Sequence, residues 1–279
     1  MTAPTSRRRV VEWVGGVPRA HEDRLIAEEP LEIRIAAPGS PDRRLGVTMR
    51  TPGNDFDLAA GLVLAEGVIG GRDDLAGIAY CTDATLTDEQ RFNVVTVALA
   101  RPAARGWKER SLRATSACGV CGTDSLDEVE DLVQRLPERG EETPSWSPAD
   151  LAALPDALRR DQRHFARTGG AHAAGLFASD GATVVVREDV GRHNAVDKVN
   201  GHVLLEGIAT AGLALCTSGR IGFEIVQKAV VAGVGAVVGV GAPTTLAARL
   251  CDRTGTTLAG FARDGRVVVY ADRAGEVGR

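Results

Sequence analysis

Cys118-Gly119-Val120-Cys121 sets two thiols with two residues between them within Thr115-Ser-Ala-Cys-Gly-Val-Cys-Gly-Thr-Asp-Ser125. Beyond them Leu126, Val129, Leu132, Val133 and Leu136 recur at helical spacing, with Asp127, Glu128, Glu130 and Asp131 early in the pattern, as a helix start prefers. The cysteines are therefore expected in a turn that leads into a helix. The positive end of a helix dipole favours thiolate, the nucleophilic form, while an acidic first turn opposes it. The spacing alone leaves that balance open.

Several chemistries use such a pair. A four-ligand zinc site needs a second pair, and the remaining cysteines, Cys81, Cys216 and Cys251, are scattered; no metal site is expected. A thioredoxin-type dithiol should follow an early strand of a different pattern. A zinc nucleobase deaminase needs His-x-Glu before Pro-Cys-x-x-Cys, but His172-Ala173-Ala174 lacks the glutamate, no proline precedes Cys118, and the order is reversed. A plain structural turn gives little reason for paired thiols. A persulfide site, in which one thiolate accepts sulfane sulfur and the other assists, suits the pair.

A second set of polar residues follows predicted strands: Glu188-Asp-Val-Gly-Arg-His-Asn194, Thr217-Ser-Gly-Arg220, Gly241-Ala-Pro-Thr-Thr245 and Arg263-Asp-Gly-Arg266. Ligands of open α/β sheets bind beyond the carboxyl ends of the strands. Ser218-Gly219-Arg220 and Pro243-Thr244-Thr245 pair small residues with a helix start, which can offer amides to a phosphate while arginine adds a charged contact. Gly169-Gly170-Ala171-His172 can add a backbone loop. His172 and His193 are catalytic or ligand-orienting candidates, although for either alone a hydrogen-bonded structural histidine is the commoner case.

The positioning elements follow from periodicity. Residues 1–28 read as loose, with an edge strand at Val10 to Val14. Alternation at Leu31, Ile33, Ile35 and at Leu45, Val47, Met49 around Pro38-Gly-Ser-Pro-Asp42 predicts a hairpin. A helix from Phe56 to Val68 and strands at Gly77 to Cys81 and Phe92 to Leu99 complete a small α+β domain, 29–109. The connector Arg101 to Glu109 leads into a three-layer α/β domain, 110–279. There a helix over Ala149 to Phe165 is expected to break near Pro155. Paired strands Gly175–Ala178 and Thr183–Arg187 precede helix Asp189–Glu206, strand Leu213–Thr217, helix Phe223–Ala232, strand Ala236–Val240, helix Thr244–Arg253, and strands Thr257–Phe261 and Val267–Tyr270. This rhythm predicts a largely parallel sheet covered on both faces. The helix Phe223 to Ala232, which carries the small residues Ala229 and Ala232, is a candidate surface for a second copy.

Composition bounds the function. The chain has 279 residues, 44% hydrophobic, 4% aromatic and net charge -4, which argues against a general nucleic-acid binder. An odd, sparse cysteine set suits a reducing compartment. Arg7-Arg8-Arg9 lacks the apolar core of a twin-arginine export signal, and no stretch is long enough to span a membrane.

Ser116-Ala-Cys-Gly-Val-Cys-Gly122, Thr168-Gly-Gly-Ala-His-Ala-Ala174, Arg187-Glu-Asp-Val-Gly-Arg-His-Asn-Ala-Val-Asp-Lys198 and Thr217-Ser-Gly-Arg-Ile-Gly-Phe-Glu-Ile-Val-Gln-Lys228, with Ala242 to Ala247, closely resemble the formate dehydrogenase accessory sulfurtransferase family (FdhD/NarQ). Gly222, where serine or a similar small residue is expected, is a minor departure. The resemblance implies a cytoplasmic homodimer that takes sulfur from a cysteine desulfurase and delivers it to the molybdenum cofactor, bis-molybdopterin guanine dinucleotide, of formate dehydrogenase. It implies a fold resembling cytidine deaminase for the second domain, a persulfide on Cys118 with Cys121 assisting, and a cofactor segment Phe261-Ala262-Arg263-Asp264-Gly265-Arg266. Ser218, Gly219, Arg220, Thr244, His172, Arg192 and His193 join it as candidate cofactor contacts, and guanine nucleotides should bind as partial mimics. The alternative is a non-catalytic chaperone that binds the cofactor and docks it into the same client; it accounts for the turns but not the dithiol.

Overall fold

A computed structural model describes residues 3–81, 87, 92–102 and 146–272; the turn expected at Cys118 and Cys121, the helix expected after it and most of the 101–109 connector lie outside the described residues. The first residues form a hairpin, β1 (Thr5–Val14) and β2 (Val17–Ile26), paired only with each other. This corrects the expectation of a loose segment 1–28. Gly15 and Gly16, with φ of 57° and 82°, supply the two left-handed residues that a two-residue hairpin turn demands.

A four-stranded sheet follows in the order β4-β3-β6-β5, built from β3 (Glu29–Ala36), β4 (Arg43–Arg50), β5 (Leu75–Tyr80) and β6 (Val94–Leu99). Its alternating inner residues Leu31, Ile33, Ile35, Val95 and Val97 pack on Leu58, Leu62 and Val63 of α1 (Asp55–Ala65).

The second sheet has the order β12-β11-β10-β9-β7-β8: β7 (His172–Phe177), β8 (Thr183–Asp189), β9 (Ala214–Thr217), β10 (Ala236–Gly239), β11 (Thr257–Arg263) and β12 (Arg266–Ala271). The expectation of a largely parallel sheet is corrected: β9, β10 and β11 are parallel, but β7, β8 and β12 join antiparallel. Short turns cause this, since Ser179-Asp180-Gly181 and Asp264-Gly265 are too brief for the crossover that a parallel partner requires.

Successive strand residues point to opposite faces, and both faces are covered. Ala174, Leu176, Leu215, Val237 and Leu258 meet α4 (Arg192–Glu206), α5 (Phe223–Val231) and α6 (Thr245–Thr254). Ala173, Phe177, Cys216, Val238 and Ala262 meet α2 (Pro148–Asp161). Leu151, Leu154 and Leu158 of α2 are each 1% exposed, and burying each stabilises the fold by about 1.5–3 kcal/mol. On α5, Phe223, Ile225, Val226 and Ala229 are spent on this same core, so its apolar face is not available to a second copy.

Two details bear on the site. Helix α2 runs through buried Pro155 and breaks instead at Gln162 (φ -79°, ψ 73°) before α3 (Arg163–Thr168). The cause is tertiary: the Glu188 carboxylate on β8 accepts from the amides of His164 and Phe165, each at 2.7 Å, and so starts a new helix there. Helices α1 and α4 cross backbone to backbone. A Cβ at Gly61 would strike the Asp197 carbonyl, and one at Gly201 the Asp57 carbonyl, so only glycine fits at the crossing.

Candidate functional site

Antiparallel β7 starts where its neighbours end. His172 pairs with Asp189 and Ala174 with Thr217, so one edge of the second sheet gathers His172, Asp189 to His193, Ser218 to Arg220 and Gly241 to Thr244. Backbone bonds lace these turns together: Ser218 N donates to Ala173 O at 3.0 Å, Gly241 N to Gly219 O at 3.1 Å, Ile221 N to Ala242 O at 3.1 Å and Phe261 N to Gly241 O at 3.2 Å. Ser218 Oγ accepts from Ala173 N at 3.0 Å and lies 3.4 Å from His172 Nδ1.

A pocket of about 460 Å³ opens on this edge, with His172, Ser218, Val240 and Arg263 on the sheet side and Arg159, Gln162 and Phe165 on the other. Arg192, the first residue of α4, lies over Gly219 beside His172: a Cβ on that glycine would lie 3.4 Å from Arg192 Cδ and 3.6 Å from His172 Cε1. Arg192 Nε is buried without a hydrogen-bond partner among the described residues, an orphan donor that an anionic ligand would satisfy. Burial first, and then the Arg192 charge, lower the His172 pKa against the opposing pull of Asp189, so His172 faces the pocket as a neutral imidazole.

Other candidates fall elsewhere. His193 Nε2 lies 3.3 Å from Glu224 Oε2 of α5. Burial, followed by the Lys228, Arg192 and His172 charges, pushes its pKa down to about 3, so it is a neutral ring against a carboxyl that burial itself pushes up. Thr244 is engaged internally: its amide donates to Ile221 O and its hydroxyl caps α6 by accepting from Ala247 N at 3.3 Å. Arg220 is exposed on its turn. Phe261 and Ala262 lie within β11, at a break in register with β12. The Ala262 side chain is 0% exposed beneath α2, whereas Phe261, with φ of 50°, stands 40% exposed beside Arg266, whose guanidinium is 5.8 Å from the ring. Asp264 and Gly265, both at positive φ, form the tip of the β11–β12 hairpin.

Cys118 and Cys121 lie outside the described residues. Two of the other thiols are poor nucleophiles: Cys216 and Cys251 are each 0% exposed, and burial pushes both thiols up. Sequence reasoning missed Arg159, Gln162 and Phe165, the second wall of the pocket. No periodicity marks them, because the Glu188 contact creates the break that turns them inward.

The remainder of the long motif is structural. Lys198 Nζ lies 2.8 Å from Asp189 Oδ2 and donates to Thr51 O at 2.9 Å. The other Asp189 oxygen accepts from Gly191 N and Asn194 Nδ2, while Asn194 also donates to Met49 O. These bonds, with Thr51 N to Asp189 Oδ2 at 3.0 Å, staple β4 and its following turn to the second sheet.

A three-layer α/β body with one polar, under-satisfied strand edge defines a class of ligand-binding α/β proteins. The FdhD/NarQ family model matches residues 26–275, and the chain belongs to that family. The sulfur carrier protein FdhD of Streptomyces avermitilis is 46% identical over 272 residues, covering 96% of this chain and 94% of that one. That of Mycobacterium tuberculosis is 44% identical over 282 residues, covering 96% and 98%. A crystal structure from Desulfotalea psychrophila, described as a formate dehydrogenase accessory protein, shares the fold at a TM-score of 0.72 and 23% identity, over 95% of this chain and 96% of that one. Among the described residues no helix is long and apolar enough to cross a membrane.

Proposed function

We propose that this protein is a sulfurtransferase that carries sulfur as a persulfide from a cysteine desulfurase to the molybdenum cofactor during formate dehydrogenase maturation. The observation that carries the reading is Cys118-Gly-Val-Cys121 in a chain 46% and 44% identical to two proteins named sulfur carriers. The Cys118 thiolate attacks the terminal sulfur of the desulfurase persulfide, forming a Cys118 persulfide and releasing the desulfurase thiolate. Cys121 assists the later delivery.

The substrate, bis-molybdopterin guanine dinucleotide, docks at the strand edge. Its anionic groups suit the orphan Arg192 donor and the arginines Arg220 and Arg263, and the neutral His172 can donate to it or accept from it without adding charge. The acting form is a homodimer in the cytoplasm, with the desulfurase and formate dehydrogenase as its successive partners. The experiment loads the protein with radiolabelled sulfur by a desulfurase and cysteine, then adds apo formate dehydrogenase and the cofactor. Label reaching the cofactor and activity appearing together support transfer. Activity restored equally by a Cys118→Ala variant overturns it and favours the chaperone.

A further inference from the structure

Neither the thiols nor the strand edge gives the β1–β2 arm anything to do. Its strands pair only with each other, and a two-stranded ribbon with no further partner is marginal in water. The root of the arm is held. Thr51 Oγ donates to Ala27 O at 3.0 Å, Ala27 N donates to Pro4 O at 2.9 Å, and a Cβ on Gly170 would lie 3.0 Å from Ile26 Cγ2. The outer end is bare. Side chains two apart on a strand share a face, and the register sets Val11 and Trp13 opposite Ala20 and Pro18. That face is therefore continuously apolar, with Val11 57% and Trp13 68% exposed, and the exposed pair Val14 and Val17 extends the apolar surface to the turn. Apolar residues scattered singly need no account, but a contiguous patch marks an interaction site.

Charge and size indicate what covers it. Arg7, Arg8, Arg9, Arg19 and Arg24 outnumber Glu12, Glu22 and Asp23 on the arm, whereas the whole chain carries -4. The rest of the chain is thus acidic and complements the arm, while the same acidity would repel an anionic membrane. The arm runs from Thr5 to Ile26, which falls within the roughly 20–30 residues a side of a standard interface. Helix α5 does not compete, since its apolar residues lie in the core. We propose that each arm lays its Val11 and Trp13 face on the body of a second copy of this chain, so that two arms exchanged reciprocally build the dimer. Such an exchange is isologous and closes at two copies. The proposal rests on the homodimer reading and supplies the surface that makes the dimer.

Sedimentation velocity of the full chain over a dilution series tests this, with Val11→Ser combined with Trp13→Ser as the variant. Both side chains are exposed and lie outside the hydrophobic cores, so the variant should fold. The wild type should be a dimer that weakens as ionic strength rises. The variant should raise the dissociation constant about a hundredfold or more, because each substitution counts twice in a symmetric interface. Hydrogen exchange on the wild type gives a readout that needs no variant: on dilution the amides of β1 and β2 should lose protection while those of β9 and β10 keep theirs. A wild-type dimer whose dissociation constant is unchanged in the variant would overturn the arm assignment and leave the dimer standing. A wild type that is monomeric at every concentration, including one whose arm instead binds anionic phospholipid vesicles, would overturn both.

Discussion

Asp189 and Arg192 stand three residues apart in one motif, yet the fold uses them in opposite ways. Asp189 is 0% exposed, with its oxygens engaged by Lys198, Thr51, Gly191 and Asn194. Arg192 begins the next helix with a buried Nε that has no hydrogen-bond partner among the described residues. The first centre is closed and welds the two sheets' units together; the second keeps an unpaired donor. Satisfied buried polar groups hold structure, whereas an unsatisfied one stores binding capacity.

The sharpest way to break this contrast is to remove Lys198. Lys198→Met strands the Asp189 carboxylate in the interior and should destabilise the protein by about 3–5 kcal/mol, read as a lowered urea midpoint. Arg192→Met should leave the midpoint within about 0.5 kcal/mol of wild type while weakening guanine-nucleotide binding. Equal loss of stability in both would erase the distinction.

The weld also depends on the glycine crossing. Gly201→Ala drives a methyl into the Asp57 carbonyl and should cost about 1–3 kcal/mol or more. At Gly222, where nothing lies within 4 Å of an added Cβ, alanine should change stability by less than about 0.5 kcal/mol. A tolerated Gly201→Ala would mean that α1 and α4 can part.

At the open edge, Arg220→Ala and Arg263→Ala should each weaken guanine-nucleotide binding about tenfold, the worth of one charge-assisted hydrogen bond, with the thermal midpoint unchanged. Unchanged affinity in both, by calorimetry, would mean that the phosphates lie elsewhere.

The two regions also differ in their dependence on pH. His193 has a folded pKa of about 3 against 6.5 unfolded, so between these values the unfolded chain binds the extra proton and acidification removes stability. Asp197, pushed up by burial to about 6 from 3.8, acts with the opposite sign between those two values. Comparison isolates the histidine: relative to His193→Gln, the wild type should lose stability as pH falls from about 6.5 toward 3. A ring that protonates near 6.5 by NMR would contradict the burial argument.

Much of the fold was legible because period-two and helical patterns report burial directly. Leu31, Ile33 and Ile35 gave their hairpin, and Phe223 to Ala232 gave its helix. What escaped depended on tertiary partners. Pro155 looked like the break in α2, but Glu188, distant in sequence, put it at Gln162. Of the β1–β2 ribbon only an edge strand at Val10 to Val14 was legible, because its strands pair without a buried face, leaving Val11 57% and Trp13 68% exposed. The structure brings His172, Ser218 and Arg263 to the lining of one pocket because strand ends gather on one edge. Asp189, Asn194 and Lys198 sat in the motif that carried the resemblance, but spacing cannot separate a staple from a ligand contact.

The central claim is that Cys118 carries the sulfur. Mass spectrometry with peptide mapping, after incubation with a cysteine desulfurase and cysteine, tests it most directly. The account predicts one additional, thiol-reversible sulfur on the Cys118 peptide, absent in Cys118→Ala and present in Cys121→Ala. Sulfur on Cys121 that persists in Cys118→Ala, or a wild-type protein that gains none beside an active desulfurase, would contradict it.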